Sequence, residues 1–193
     1  MFSEKAIAQM AAFFTGKEGG QIQVLKLMKL LYLAERESLD QHGHPISFDK
    51  MVAMDNGPVL SRTLNYLNGF IESGQDGWDS WLRDREAHGV SLARQPNREA
   101  LTELSDADLE VLETVWRKFG HMDKWQIRDY THDRCAEWRY PQGGSYPIHY
   151  QDVFTALGKA EHAEELTENL KKFRAVPRVG LGLAGVPDRS GVR

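Results

Sequence analysis

Few side chains in this sequence combine a reactive type with a useful spacing. His132 and Cys135 are three residues apart, which puts both on one face of a helix. A thiol beside an imidazole or an arginine, here His132 or Arg134, is the pairing that makes a cysteine nucleophilic. His42 and His44, on either side of Gly43, complete the candidates for a metal. A closed zinc site takes four ligands, commonly as two close pairs. These two pairs are about 90 residues apart and match no common zinc spacing. HExxH, GxSxG, the P-loop and GxGxxG are all missing. Gly180, Gly182 and Gly185 follow no strand and read as a linker. A single cysteine beside Trp138 is ordinarily a packed residue. The reading is therefore a non-enzyme with no catalytic residues, no metal and no cofactor. A small hydrolase or metal-dependent enzyme using His132 and Cys135 is the alternative.

Charge and composition set the frame for those residues. Hydrophobic residues at 41% and charged residues at 27% of 193 describe a globular chain that can bury a core. The four arginines and one aspartate of residues 174–193 carry +3, which leaves −7 on residues 1–173 against −4 for the whole. A body of that sign has no chain-wide attraction to phosphate backbones, and no helix-turn-helix with a basic second helix is apparent, so a nucleic-acid-binding regulator is disfavoured. One cysteine forbids an intrachain disulfide and suits a reducing compartment. No apolar run reaches the roughly 18–20 residues of a membrane span, and Ser3 and Glu4 stand where a signal peptide would be basic. The expectation is a cytoplasmic protein without membrane or nucleic-acid partners.

The elements that must position these residues read as mainly helical. A first helix starts at Ser3 as N-cap, with Ile7, Met10, Ala11 and Phe14 inward, and stops at Gly16 and Gly19-Gly20. A second, from Gln21 to Asp40, is apolar over most of its circumference and is expected at the centre of the domain. Its Lys26, Lys29 and Arg36 share a face and are expected to form a solvated stripe. Ile46–Phe48 and Met51–Met54 read as two strand-like pieces. Pro58 is expected at the first position of a helix whose buried face is Val59, Thr63, Tyr66, Leu67 and Phe70. Trp78–Arg85 reads as a short helix, and Gln95-Pro96-Asn97 as the turn of a hairpin. Trp78 and Trp81 border polar loops and are candidate exposed anchors. Ser105 with Asp108, and Asp123 with Gln126, are capping boxes, and Gly120 is the expected C′ glycine between them. Tyr150–Leu157 and Glu161–Phe173 are further helices. The fold class is α+β, mainly α: a compact helical domain, residues 1–173, around a central apolar helix with small β-hairpin elements. Residues 174–193 are expected to be a flexible Gly/Pro/Arg tail.

Three segments, in order, resemble the Panacea domain, the antitoxin family that includes the SocA-type antitoxins. Lys26-Leu27-Met28-Lys29-Leu30-Leu31-Tyr32-Leu33-Ala34 is similar to the family's KLxKLLYLA helix. Gly43 to Asp49, Ala53, then Gly57-Pro58-Val59 and Tyr66 downstream resemble its G-x-P segment and GPV turn. Leu104-Ser105, Gly120, Thr131-His132 and Trp138 resemble its LS…YG…tH…W pattern, with Phe119 where the family often has tyrosine. The resemblance covers residues 3–140, extending toward 157. It implies a mostly helical domain that neutralises a cognate protein toxin by direct contact, and, for SocA-type members, delivery of that toxin to a cytosolic AAA+ protease. The candidate partner-binding residues it supplies are Lys29, Tyr32, Asp49, Gly57, Pro58, Val59, Tyr66, His132 and Trp138. Most are also explicable as fold determinants. Asp49, Tyr66, His132 and Trp138 are expected to form one polar–aromatic cluster.

Overall fold

The computed structural model describes residues 1–86 and 88–175. The expected tail therefore lies, from residue 176 on, outside the described residues. The fold is mainly helical with two small antiparallel sheets.

Two helices form the centre. α1 (Glu4–Lys17) begins where Ser3 Oγ accepts the Ala6 N–H, and is buried from Ala6 to Thr15. α2 (Val24–His42) is buried over most of its circumference and ends at Gly43, φ +73°, a conformation that favours glycine. It packs against α1, α4 (Asp106–Phe119), α5 (Lys124–Arg134) and β3 (Gly57–Leu60), so it is the apolar helix that a full circumference of leucines requires.

Its start corrects the expectation. Gln21–Gln23 is not helical but forms β1, paired antiparallel with β5 (Gly89–Leu92) in the register Ile22↔Val90. Gly19 and Gly20, at φ +97° and +100°, turn the chain into that strand. The first sheet runs β1–β5–β4, with β4 spanning Leu82–Glu86. The helix expected at Trp78–Arg85 is instead a single 3-10 turn, Trp78–Ser80, followed by β4. Trp78 and Trp81 are both buried in the core, not exposed anchors. The hairpin is likewise displaced to β4–β5, while Asn97 Oδ1 caps the Ala100 N–H of a 3-10 turn at Arg98–Ala100.

The second sheet is β3–β2–β6, with β2 at Met51–Met54 and β6 at Tyr146–Pro147. Pro58 lies in β3 opposite Ala53, not at a helix start. β3 is an edge strand, where a residue without an N–H is tolerated. α3 begins later, at Ser61, and stops at Leu67, which leaves Phe70 exposed instead of inward. Ile46–Phe48 forms no strand, because its N–H groups serve a carboxylate: Glu35 accepts from Ile46 N (2.6 Å), Ser47 N (2.8 Å) and Ser47 Oγ.

Both expected capping boxes are present, at Ser105/Asp108 for α4 and Asp123/Gln126 for α5. Gly120 ends α4 at φ −60°, so no left-handed residue is needed there. Its glycine provides room: a Cβ would lie 2.6 Å from Trp116 Cδ2. α6 (Tyr150–Ala156) and α7 (Ala163–Ala175) pack on each other at the end of the chain described. Among the described residues no helix is long and apolar enough to cross a membrane.

Candidate functional site

α2 carries Lys26, Lys29, Tyr32 and Arg36 at spacings of three and four, so they form one row. The row is not the solvated stripe that lysine and arginine ordinarily make. Lys26 is 6% exposed and Lys29 0%, because α4, α5 and the β2–β3 hairpin close over it.

Lys29 lies beneath the hairpin turn. Its Nζ donates to the Pro58 carbonyl at 2.7 Å. Gly57, at φ +93°, lets the backbone settle this close: a Cβ would meet Thr131 Oγ1 at 2.8 Å, Lys29 Nζ at 2.9 Å and His132 Nε2 at 3.1 Å. Both the turn conformation and the packing therefore demand glycine. Val59 follows as a buried residue facing α2.

The far end of α5 closes the site. The His132 ring stacks on Trp138 with centroids 4.0 Å apart and planes 3° from parallel. Trp138 Nε1 donates to Met54 O (3.0 Å), so one aromatic pair grips the end of β2. Glu137 Oε1 accepts from Tyr32 OH (2.7 Å) and Arg36 Nε (2.8 Å). These bonds tie residues 131–138 to α2 and to the hairpin.

Burial governs the electrostatics. It pushes the Lys29 amine down to about 7, helped by Arg128 and opposed by the Cys135 sulfur. Burial raises the Tyr32 hydroxyl well above its usual value, and neighbouring Glu137 adds to this. Cys135 is pushed up to about 12, again by burial and then by Glu137. His132 is held below its ordinary value by burial and by Lys29. Two buried atoms, His132 Nε2 and Glu137 Oε2, have no hydrogen-bond partner among the described residues.

This environment bears on the enzyme alternative. A thiol held near 12 is not a thiolate at neutral pH, and the Cys135 N–H simply caps the last turn of α5 on Thr131 O (3.3 Å). No hydrogen bond joins His132 to Cys135 among the described residues. The rings of His42 and His44 lie 6.2 Å apart at the other end of α2. Among the described residues no group of three or more His, Cys, Asp or Glu is placed to hold a metal.

The expected four-residue cluster divides. His132 and Trp138 meet, but Asp49 and Tyr66 bond elsewhere. Asp49 accepts from Arg62 N (3.0 Å), Thr63 N (2.8 Å) and Thr63 Oγ1 (2.6 Å), capping α3 from a distant loop. Tyr66 lies between Phe2 and Trp78 and donates to Glu4 Oε2 (3.1 Å). Glu4 also accepts from Ser73 Oγ and Trp78 N, both at 2.9 Å, and so holds down the 73–78 loop. Glu35 and Glu137, the buried carboxylates of the domain centre, were not marked by any motif. An acid inside an apolar helix was the available signal for Glu35. Nothing in the sequence pairs Glu137 with Tyr32, 105 residues away.

The segment that builds this arrangement is the segment a known family shares. Residues 27–139 match the family described as antitoxin SocA-like, Panacea domain. The chain belongs to that family. No curated protein and no solved structure matches it. The Panacea match is narrower than the resemblance read over 3–140. It leaves α1 outside and opens in the first turns of α2, and it closes just after Trp138. The Panacea segment thus contains both halves of the Lys29 site.

Proposed function

We propose that this chain is an antitoxin that binds a cognate protein toxin and neutralises it by direct contact, without catalysis of its own. The observation that carries the reading is the antitoxin-family match over more than half of the chain. The chemistry of the site supports it. The side chains that would have to act in a hydrolase are engaged in packing: the Cys135 thiol is buried and held near 12, and the His132 ring is stacked on Trp138 with its Nε2 beside Gly57. The partner is a toxin in the cytoplasm, and the fuller form of the proposal adds delivery of the bound toxin to an AAA+ protease.

The test is co-expression with the product of the adjacent gene, scoring growth and copurification. The expected result is that the neighbour alone arrests growth and that this chain restores it in a stable complex. Rescue accompanied by disappearance of the neighbour, dependent on this chain, identifies protease delivery over simple occlusion. A harmless neighbour that does not copurify sinks the antitoxin reading.

A further inference from the structure

The β2–β3 hairpin lies inside the Panacea match, and the strand that completes its sheet lies just beyond it. β6 pairs with β2 as Val52↔Pro147 and Ala53↔Tyr146. Next to these, Ile148 N donates to Met51 O (2.9 Å), so Met51 and Ile148 are a hydrogen-bonded pair. Bonded and non-bonded pairs alternate along an antiparallel ladder. Ala53 and Tyr146 therefore exchange backbone bonds, while Val52 and Pro147 between them do not, and the Pro147 nitrogen faces away from β2. The same alternation fixes the other side of the strand. Ser61 N donates to Lys50 O (2.8 Å), so Val52 and Met54 bond β3, and Pro58 faces out of the sheet. Pro58 has no N–H, and its carbonyl is taken by Lys29 Nζ. At Pro58 and at Pro147 the two outer edges of this sheet lack a donor, which protects edges against added strands.

β6 belongs to a strap, residues 139–147, whose two ends are both held by β2. At one end Trp138 stacks on His132 and donates to Met54 O (3.0 Å). At the other, Ile148 is buried and donates to Met51 O. The middle is held lightly. Pro141 and Tyr146 are half-exposed, and the rest of 139–147 is exposed. Tyr140 approaches Trp138 with ring centroids 6.4 Å apart but is itself 61% exposed. Tyr146 OH and Gly144 N bond Arg139 O and Pro141 O, inside the strap. The backbone bonds that tie the strap down, among the described residues, are the Tyr146–Ala53 pair and Gly143 N to Asp55 Oδ1 (2.9 Å). Gln142, at φ +54°, adopts a left-handed backbone that a side chain disfavours. With both ends fixed, release of the middle costs few contacts and recovers backbone entropy.

We propose that the strap is a detachable cover, and that the β2 edge beneath it accepts an extended segment of the toxin, which replaces β6 and pairs its backbone with Ala53. The strand already seated there defines the occupant: an extended backbone that presents an N–H and a C=O to Ala53. Once the strap leaves, Ala53 offers both a donor and an acceptor, in contrast to the edges closed by Pro58 and Pro147. Pairing of this kind draws its affinity from main-chain bonds and places few demands on the partner's side chains. The proposal rests on the antitoxin reading and names the surface through which it acts.

The first measurement is amide hydrogen exchange on the free full-length chain. Opening of the strap exposes the amides of Ala53 and Tyr146 together and leaves those of Val52 and Met54 bonded to β3. Ala53 is therefore expected to be about 100-fold less protected than either neighbour. Equal protection at Val52, Ala53 and Met54 overturns the detachable strap. In the complex with the product of the adjacent gene, Ala53 is expected to become as protected as Val52, while Tyr146 loses protection. Joint protection of Ala53 and Tyr146 means that the strap is still seated, and overturns the docking site. A covalent lock gives a second readout. Val52→Cys with Pro147→Cys joins a non-hydrogen-bonded pair, whose Cα atoms lie about 4.5 Å apart, within disulfide reach, in a chain whose own Cys135 is buried. The oxidised double variant is expected to bind the toxin about tenfold or more weakly than the same chain after reduction. Binding at the parent's affinity by both forms overturns the proposal while leaving the antitoxin reading intact. Failure of the parent to bind overturns the antitoxin reading and the docking site together, and is told apart because the exchange pattern of the free chain needs no partner.

Discussion

Lys26 and Lys29 are one helical turn apart on α2, both buried, and the protein treats them differently. Lys26 is fully answered. Its Nζ bonds both oxygens of Glu18 (2.8 and 2.6 Å) and the Gly120 carbonyl at the end of α4 (2.8 Å), and it lies over the Trp116 ring. A cation bonded to the last carbonyl of a helix also suits the helix dipole. Among the described residues Lys29 bonds a single neutral oxygen; its amine is held down to about 7 by burial, and it borders an open cleft. One lysine ties three elements together; the other sits in a region whose charge is incompletely compensated. Undercompensated charge costs stability and is retained where something else depends on it. The comparison therefore sets a lysine paired by charge at one joint of α2 against one that, among the described residues, bonds a neutral carbonyl beneath a hairpin turn.

The largest expected effect belongs to the turn above Lys29. Gly57→Ala meets two costs: about 1–2 kcal/mol for the left-handed backbone and about 1–3 kcal/mol for crowding against Thr131, Lys29 and His132. The total should be about 3 kcal/mol in urea denaturation, from those two principles together. Gly20→Ala sharpens the point. Gly20 has the same sign of φ, +100°, but nothing within 4 Å of an added Cβ, so it should cost only the backbone share. Equal losses at the two glycines would mean that the turn does not press on α2.

Next is Lys26→Ala. Glu18 keeps its charge, loses its cation and is only partly exposed, and the Gly120 carbonyl loses a donor. Complete burial of such a pair would make its disruption cost more, and the partial exposure of Glu18 reduces this to about 2 kcal/mol. A double-mutant cycle with Glu18→Gln should recover much of it as coupling. A near-zero coupling would show that Lys26 acts through its stem on Trp116 alone.

The two ends of α2 were also unequally legible. α4 and α5 could be read from their capping boxes, because Ser105 with Asp108 and Asp123 with Gln126 act over three residues and need nothing distant. α2 itself could be read as central from its all-round leucines. Met51–Met54 could be read as a strand, but Tyr146–Pro147 and Gln21–Gln23 are too short for a period of two to emerge. Pro58 suits a helix start and an edge strand equally well, and only the pairing of Ala53 with Pro58 decides between them. The buried lysines were misread for a physical reason: lysine type predicts exposure unless a partner is known, and although Glu18 is eight residues from Lys26, the carbonyls that complete the two sites, Gly120 and Pro58, lie 94 and 29 residues away. The motif residues resembling the Panacea pattern located Lys29, Gly57, His132 and Trp138, but spacing alone did not show that these four meet while Asp49 and Tyr66 serve other joints.

The smallest effect at neutral pH, and the most informative, is Lys29→Met. The thioether fills a similar volume, the Pro58 carbonyl loses its donor, and the buried amine with its desolvation cost is removed; the opposing changes should leave stability within about 1 kcal/mol of the parent at pH 7. The pH dependence separates them. The amine binds its proton with a value of about 7 in the folded state and 10.5 when exposed. Between those values the unfolded chain holds a proton that the folded chain has lost, so the parent gains stability as pH rises from 7 to 10.5. Below 7 both states are protonated and the contribution is flat. Glu35 works in the opposite sense in a lower window: burial raises it from 4.5 to about 7, the folded state keeps the proton longer, and stability falls as pH rises across that range. Cys135, raised from 9.0 to about 12, also subtracts stability with rising pH, but only above pH 9. Glu35 is common to parent and variant, whereas Cys135 and His132 both feel Lys29, so the difference between the two curves reports Lys29 most directly from pH 7 to 9, above the imidazole range and below that of the thiol. That difference should turn in favour of the parent between pH 7 and 10.5. Parallel curves through this window would mean that Lys29 is charged and compensated in the folded protein, and the distinction between the two lysines would then disappear.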